Sequence, residues 1–191
     1  MTDHTYSQGE SLAGSFLIST PQMPDSRFEE HVIYICAHND EGAMGVAINR
    51  PNPAFSMVEI LRGSNMPIPD TGLPPVHIGG PVELESAFIL YLSEYKTEHK
   101  IDISDTIALT RETRVLEDIA NNRGPENYLF ILGYAGWGPG QLEQELVKNG
   151  WLTVPSNDEI IFHTADDSKW KAAALQLGID IEIFEDVIGS A

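Results

Sequence analysis

The chain has 191 residues, 42% hydrophobic and 21% charged, enough for one sizeable core and too apolar for a disordered segment. Twenty-nine acidic residues against eleven basic ones give a formal net charge of −18, a field that repels phosphate backbones and lacks the basic footprint of a nucleic-acid binder. No apolar run approaches the roughly 20 residues of a membrane span, no basic region followed by an apolar stretch opens the chain, and the lone Cys36 excludes an internal disulfide framework. The expectation is a cytoplasmic protein kept soluble by its acidity, with no membrane contact.

Residues 1–13 are polar and aperiodic and read as a flexible arm ahead of a single domain over 14–191. The segment GSFLIST from Gly14 predicts a short strand stopped by Pro21 and Pro24. HVIYICAH (31–38) is a nearly continuous β-branched and aromatic run, as in a strand buried on both faces, and NDEGA turns it into a second strand, MGVAINR. Ser56 is placed to cap a short helix ending at Gly63. The stretch 63–75 carries four of the twelve prolines and reads as a loop.

VHI, then SAFILYL, then ISDTIALT predict further strands, and RETRVLEDIANN a helix whose Val115, Leu116, Ile119 and Ala120 share one face. YLFILGYAG predicts a buried strand, followed by a helix with Leu142, Leu146 and Val147 inward. WLTV and EIIFHT read as strands. Asp166 or Asp167 caps a last helix through Trp170, Ala174 and Leu177, closed by Gly178. Hairpins in the first half and strand–helix alternation in the second predict an α+β fold.

Four blocks, GSFLISTP (14–21), VIYICAHNDEGAMGVAINRP (32–51), HIGGPV (77–82) and LGYAGWGPGQLEQELVKNGWLTVP (132–155), resemble the YqgE/AlgH family of bacterial proteins, with the likeness running from Gly14 to Gly178. The resemblance implies a cytoplasmic α+β protein whose mixed sheet curls toward a barrel, with helices around it. The family carries the label of transcriptional regulator through a genetic association with alginate production, and it supplies no catalytic residues to carry over. Its common Gly-His-Ala end is replaced here by Gly189, Ser190 and Ala191, so a role for that histidine does not transfer.

The segment after the 128–134 strand is the leading site candidate. Gly133, Gly136, Gly138 and Gly140 leave backbone open ahead of a helix, a geometry that can cradle an anion. No Lys-Ser/Thr pair follows to hold phosphate, and Glu143 and Glu145 already occupy the first helical turns, so close packing by the glycines is favoured. Trp137 stands inside this loop, either presented outward as an anchor or folded over the core. Asn49 and Arg50 end an apolar strand, and the guanidinium of Arg50 can hold a carboxylate, a local acid being its favoured partner.

Cys36 lies among apolar neighbours, with His38 two residues on and expected on the same face; an inert thiol is favoured. The histidines show no metal-ligand spacing, although His38 with Asp40, His77 and His163 can converge from strand ends. There is no G-x-S-x-G elbow, and Glu83 with Glu85 is expected as a solvated pair on one side of a strand.

The leading reading is a non-enzymatic binding or regulatory protein, without cofactor or metal. It would meet an unidentified protein partner or small ligand through Trp137, Gly136, Gly138, Gly140, Arg50, Asn49 and His38. The alternatives are an enzyme using Cys36, His38 and His77 in one cleft, and a transcriptional regulator, acting indirectly rather than on DNA.

Overall fold

Long β-branched and aromatic runs build one sheet, and two irregularities in those runs decide which way its functional side chains face. The computed structural model describes residues 10–148 and 150–181; the Gly189–Ser190–Ala191 end lies outside them. The strands are β1 (Ser15–Ser19), β2 (Val32–Asn39), β3 (Gly42–Ala47), β4 (Val76–Ile78), β5 (Val82–Leu92), β6 (Lys100–Asp102), β7 (Ile107–Thr110), β8 (Tyr128–Trp137) and β9 (Trp151–Pro155). They are joined in the order β6-β7-β5-β8-β3-β2-β1-β9, with β4 added to β8 as the parallel pairing. The helices are α1 (Met57–Gly63), α2 (Thr113–Ala120), α3 (Gln141–Val147), α4 (Asp158–Phe162) and α5 (Lys169–Leu175). This is the expected α+β architecture, a single domain in which the mixed sheet curls into a half-barrel with helices around it.

The expected hairpin forms from β2 and β3, and β2 is buried on both faces. Its Val32, Tyr34 and Cys36 enter one continuous inner core, together with Phe16, Leu90, Leu109, Ile131 and Trp170. The outer face carries two separate cores. One lies over β5, β7 and β8 under α1 and α2, around Tyr91, Val115 and Phe130. The other lies over β1, β2 and β3 under α3, around Leu17, Ile35, Trp137 and Trp151. Ser56 caps α1 as expected, in a capping box completed by Glu59.

Several expectations are corrected. EIIFHT forms α4 rather than a strand: Asn157 accepts from the Glu159 amide as a cap, and one turn of helix buries both Ile160 and Ile161. ISDTIALT is divided, because Ser104 turns the chain between β6 and β7 and leaves Ile107–Thr110 as the strand. Leu142 and Leu146 face inward as expected, Leu146 partly buried against the outer core, but Val147 is exposed. The α5 N-cap is Ser168, whose hydroxyl donates to Asp167 rather than capping the helix amides, and Asp166 is used elsewhere. Glu83 and Glu85 are both solvent-exposed as expected, but Glu83 takes a left-handed conformation where β5 slips register against β8, so regular alternation is interrupted there.

Gly133 is the matching irregularity in β8. Its φ of 72° lies in the left-handed region and shifts the pleat. Leu129 and Ile131 face the inner core before it, Tyr134 packs on that core after it, and Ala135 and Trp137 are sent outward. The Gly79–Gly80 turn packs directly on this kink: a Cβ on Gly80 would lie 2.2 Å from the Tyr134 carbonyl carbon. Backbone cannot yield as a side-chain tip can, so Gly80→Ala is expected to lower stability by about 1–3 kcal/mol, read from the urea midpoint.

Candidate functional site

The residues singled out in the sequence fall at the two ends of β3. Asn49 and Arg50 follow its C-terminal end, while Trp137 and His38 both stand opposite Ala43 near its start. At the strand rise of about 3.3 Å per residue the two groups are roughly 20 Å apart.

Asn49 is buried and serves the backbone: Oδ1 accepts from the Val32 amide at 2.9 Å and Nδ2 donates to the Glu30 carbonyl at 2.7 Å. Among the described residues Arg50 does not pair with an acid as expected. Its Nη2 donates to the Glu29 carbonyl and its Nε to His31 Nδ1 at 3.1 Å. Burial lowers its pKa from the ordinary arginine value, with Glu30 and Glu29 opposing only through their field. It borders a groove of about 630 Å3 with His31, Phe28, Pro51, Ile78 and Leu84 on its walls. The groove therefore holds a partly desolvated guanidinium whose direct partners are a carbonyl and an imidazole.

Burial, reinforced by the charge of Arg50, pushes His31 down to about 4, so the ring is neutral at pH 7 and can accept from Arg50. The linked stability has a definite sign. The unfolded chain takes up this proton near pH 6.5 and the folded chain near 4, so the contribution is complete above 6.5 and lost as pH falls toward 4. We expect His31→Asn to flatten the stability–pH curve in that window by up to about 3 kcal/mol, measured by urea unfolding at stepped pH.

An aromatic row connects the two ends of β3. Phe28 meets His31 with ring centroids 5.4 Å apart and Trp151 at 5.6 Å, and Trp151 meets Trp137 at 6.3 Å, all edge-on. Trp137 is not in a loop, because β8 continues through it, and at 7% exposure it belongs to the outer core. Both indoles donate to one carboxylate oxygen, Glu145 Oε2, at 2.9 Å each. Gly136 sits within β8 opposite Met44, Gly138 donates its amide to Gln141 Oε1, and Gly140 turns the chain into α3 with φ of 70°. The glycines thus serve packing and turning.

His38 and Cys36 do not share a face. A bulge between Ile35 and Ala37 inserts an unpaired residue into β2, so Cys36 stays inward while His38 turns toward α3. There the Leu12 amide donates to His38 Nδ1 at 3.0 Å, which leaves the proton on Nε2 to donate to Glu143 Oε1 at 2.7 Å. Residues 11 and 12 are thereby fastened to β2. Cys36 is 3% exposed and burial pushes its thiol up to about 12, the reverse of what a reactive cysteine needs.

His77 joins a network that the sequence did not reveal. Its Nε2 lies 3.0 Å from Asp166 Oδ1, and Lys169 Nζ donates to the same oxygen at 2.8 Å and to the Ile48 carbonyl at 2.7 Å. His77 is 1% and Lys169 2% exposed. Burial raises the Asp166 carboxyl, but bonds from His77 and Lys169 outweigh it and hold its pKa below the ordinary value; burial in turn lowers Lys169. His77 Nδ1 is buried and has no partner among the described residues. The network fastens α5 to the end of β3 and β4. Asp166 and Lys169 stand at helical i,i+3 spacing, the one part of it written locally.

The groups proposed for an enzyme therefore lie apart: Cys36 in the inner core, His38 against α3, and His77 against Asp166. Among the described residues no group of three or more His, Cys, Asp or Glu is placed to hold a metal ion, and no helix is long and apolar enough to cross a membrane.

A half-barrel sheet with two flanking outer cores and a glycine-kinked β8 defines a recognisable class of fold. A family model described as AlgH-like matches residues 16–182, and the chain belongs to that family. The UPF0301 protein DP2218 of Desulfotalea psychrophila is 48% identical over 188 residues, covering 98% of this chain and 99% of that one. A UPF0301 protein of Paracoccus denitrificans is 44% identical over 177 residues, covering 91% and 93%. The solution structure of the AlgH protein from Pseudomonas aeruginosa superposes with a TM-score of 0.76 at 35% identity, covering 94% of this chain and 96% of that one. Protein DIP2367 of Corynebacterium diphtheriae shares the fold, with a TM-score of 0.75 at 18% identity over 94% of each chain.

Proposed function

We propose that this is a cytoplasmic, non-enzymatic binding protein whose recognition site is the Arg50 groove, and that it takes the carboxylate of a small ligand or of a partner protein's side chain. One observation carries the reading: a half-buried guanidinium in a chain with 29 acidic residues is hydrogen-bonded to a carbonyl and an imidazole rather than a carboxylate, and it faces a groove where Phe28, Pro51, Ile78 and Leu84 stand beside the charged Arg27, Glu29 and Glu30. A carboxylate entering there gains a charge-assisted, two-pronged bond in a partly dry setting. Ile78, Pro51 and Leu84 supply the apolar contact. Trp137 and the loop that follows contribute from behind, by holding Trp151 and Phe28 in place. Any regulatory effect on transcription then passes through that partner, since the charge of the chain disfavours DNA.

A thermal-shift comparison tests it. Glutarate and citrate in excess should raise the melting temperature by mass action, worth about 2.7 kcal/mol at a hundred times Kd, and Arg50→Gln should abolish the rise. A rise that survives Arg50→Gln, or none with any carboxylate, rejects the groove as the site.

A further inference from the structure

A second concavity, of about 780 Å3, opens on the inner face of the sheet. There α5 packs over β1 and β2, and beyond that roof the groove is floored by Met44, Phe88, Leu109 and Tyr134, with exposed Ile101 of β6 at its rim. This is the size and lining of a small-molecule site.

The charges around this floor are unequally satisfied. All three bases are engaged: Lys100 with Asp102, His99 Nδ1 with Glu112 Oε1 at 2.8 Å, and Arg111 over the Phe88 ring at 5.1 Å while donating to Ser86 Oγ at 3.0 Å. The acids are not. Glu112 Oε2 is buried and accepts from nothing, and the Glu98 side chain has no hydrogen-bond partner among the described residues. A buried carboxylate oxygen without a donor is costly, and the group that relieves it must bring an N–H or O–H. The overall charge of −18 further favours a cation over an anion or a neutral alcohol.

We infer that this groove binds an organic amine with an apolar body, its ammonium donating to Glu112 and its body lying on Tyr134, Met44 and Leu109. The site is separate from the Arg50 groove and does not depend on its function.

Phenethylamine is the probe, titrated into the full chain while backbone amide shifts are followed by NMR, with phenylacetate as the matched anion. The expected result is saturable binding of the amine, shifts centred on Met44, Phe88, Leu109 and Tyr134, and negligible binding of phenylacetate. Glu112→Gln should weaken the amine roughly tenfold or more. Glu98→Gln, an exposed change that leaves the packing alone, should weaken it by a smaller factor by reducing the local field. Equal binding of the two probes, an affinity unchanged in both variants, or no saturation at millimolar amine overturns the inference. Self-association through this face, seen by light scattering, would assign the groove to a second copy and overturn it as well.

Discussion

Asp166→Ala is expected to lower the unfolding free energy by about 3–5 kcal/mol, a large fraction of what holds a domain of this size together. The reason lies in what the substitution leaves behind. Lys169 is 2% exposed and its ammonium would keep only the Ile48 carbonyl, while His77 would lose the acceptor of its Nε2. An uncompensated buried charge is far more damaging than a missing contact. Asp166→Ala combined with Lys169→Met removes both charges and should recover much of the loss, because a buried ion pair exchanged for apolar volume is close to neutral. Urea denaturation of the two variants reads this directly. A loss below about 1 kcal/mol for Asp166→Ala would show that Lys169 is solvated or neutral in the folded protein.

The second large effect concerns Glu145. One carboxylate oxygen receives the indole N–H of both Trp137 and Trp151, and the other receives Gln141 Nε2 at 3.0 Å. Glu145→Ala leaves two buried donors unpaired at about 1–3 kcal/mol each, so a loss of roughly 2–5 kcal/mol is expected. Glu145→Gln keeps an acceptor oxygen of nearly the same position and should lose about half as much, through the missing charge alone. Denaturant midpoints followed by tryptophan fluorescence report both quantities on the indoles concerned. Equal losses for Ala and Gln would mean that the carboxylate charge, rather than the hydrogen-bond geometry, dominates.

What could be read from the sequence follows how local each signal is. The β2–β3 hairpin, the Ser56 cap and α2 are specified by residues within one turn or one strand of each other, and they form as expected. The α4 segment misleads because five residues with two isoleucines fit a buried strand or a single helical turn equally well, and only packing against the inner core decides. The facing of His38 and Trp137 depends on irregularities at Ile35–Ala37 and Gly133 that shift the pleat by one residue, and strict alternation cannot foresee them. Asp166 and Lys169 are three residues apart, yet their partner His77 lies 89 positions from Asp166 and nothing local announces it. Arg50 is visible as a rare cation at a strand end; that its hydrogen bonds among the described residues go to a carbonyl and an imidazole is a property of the folded chain alone.

The most direct test of the Arg50 groove is an NMR titration of the full chain with a short acidic peptide, following backbone amides in the wild type and in Arg50→Gln. The account predicts saturable shifts confined to the groove residues, Ser26–His31, Arg50 and the turn from Ile78 to Leu84, all lost in the variant. Shifts centred instead on 133–141, or shifts that persist unchanged in Arg50→Gln, would contradict it and return the glycine-rich end of β8 to first place.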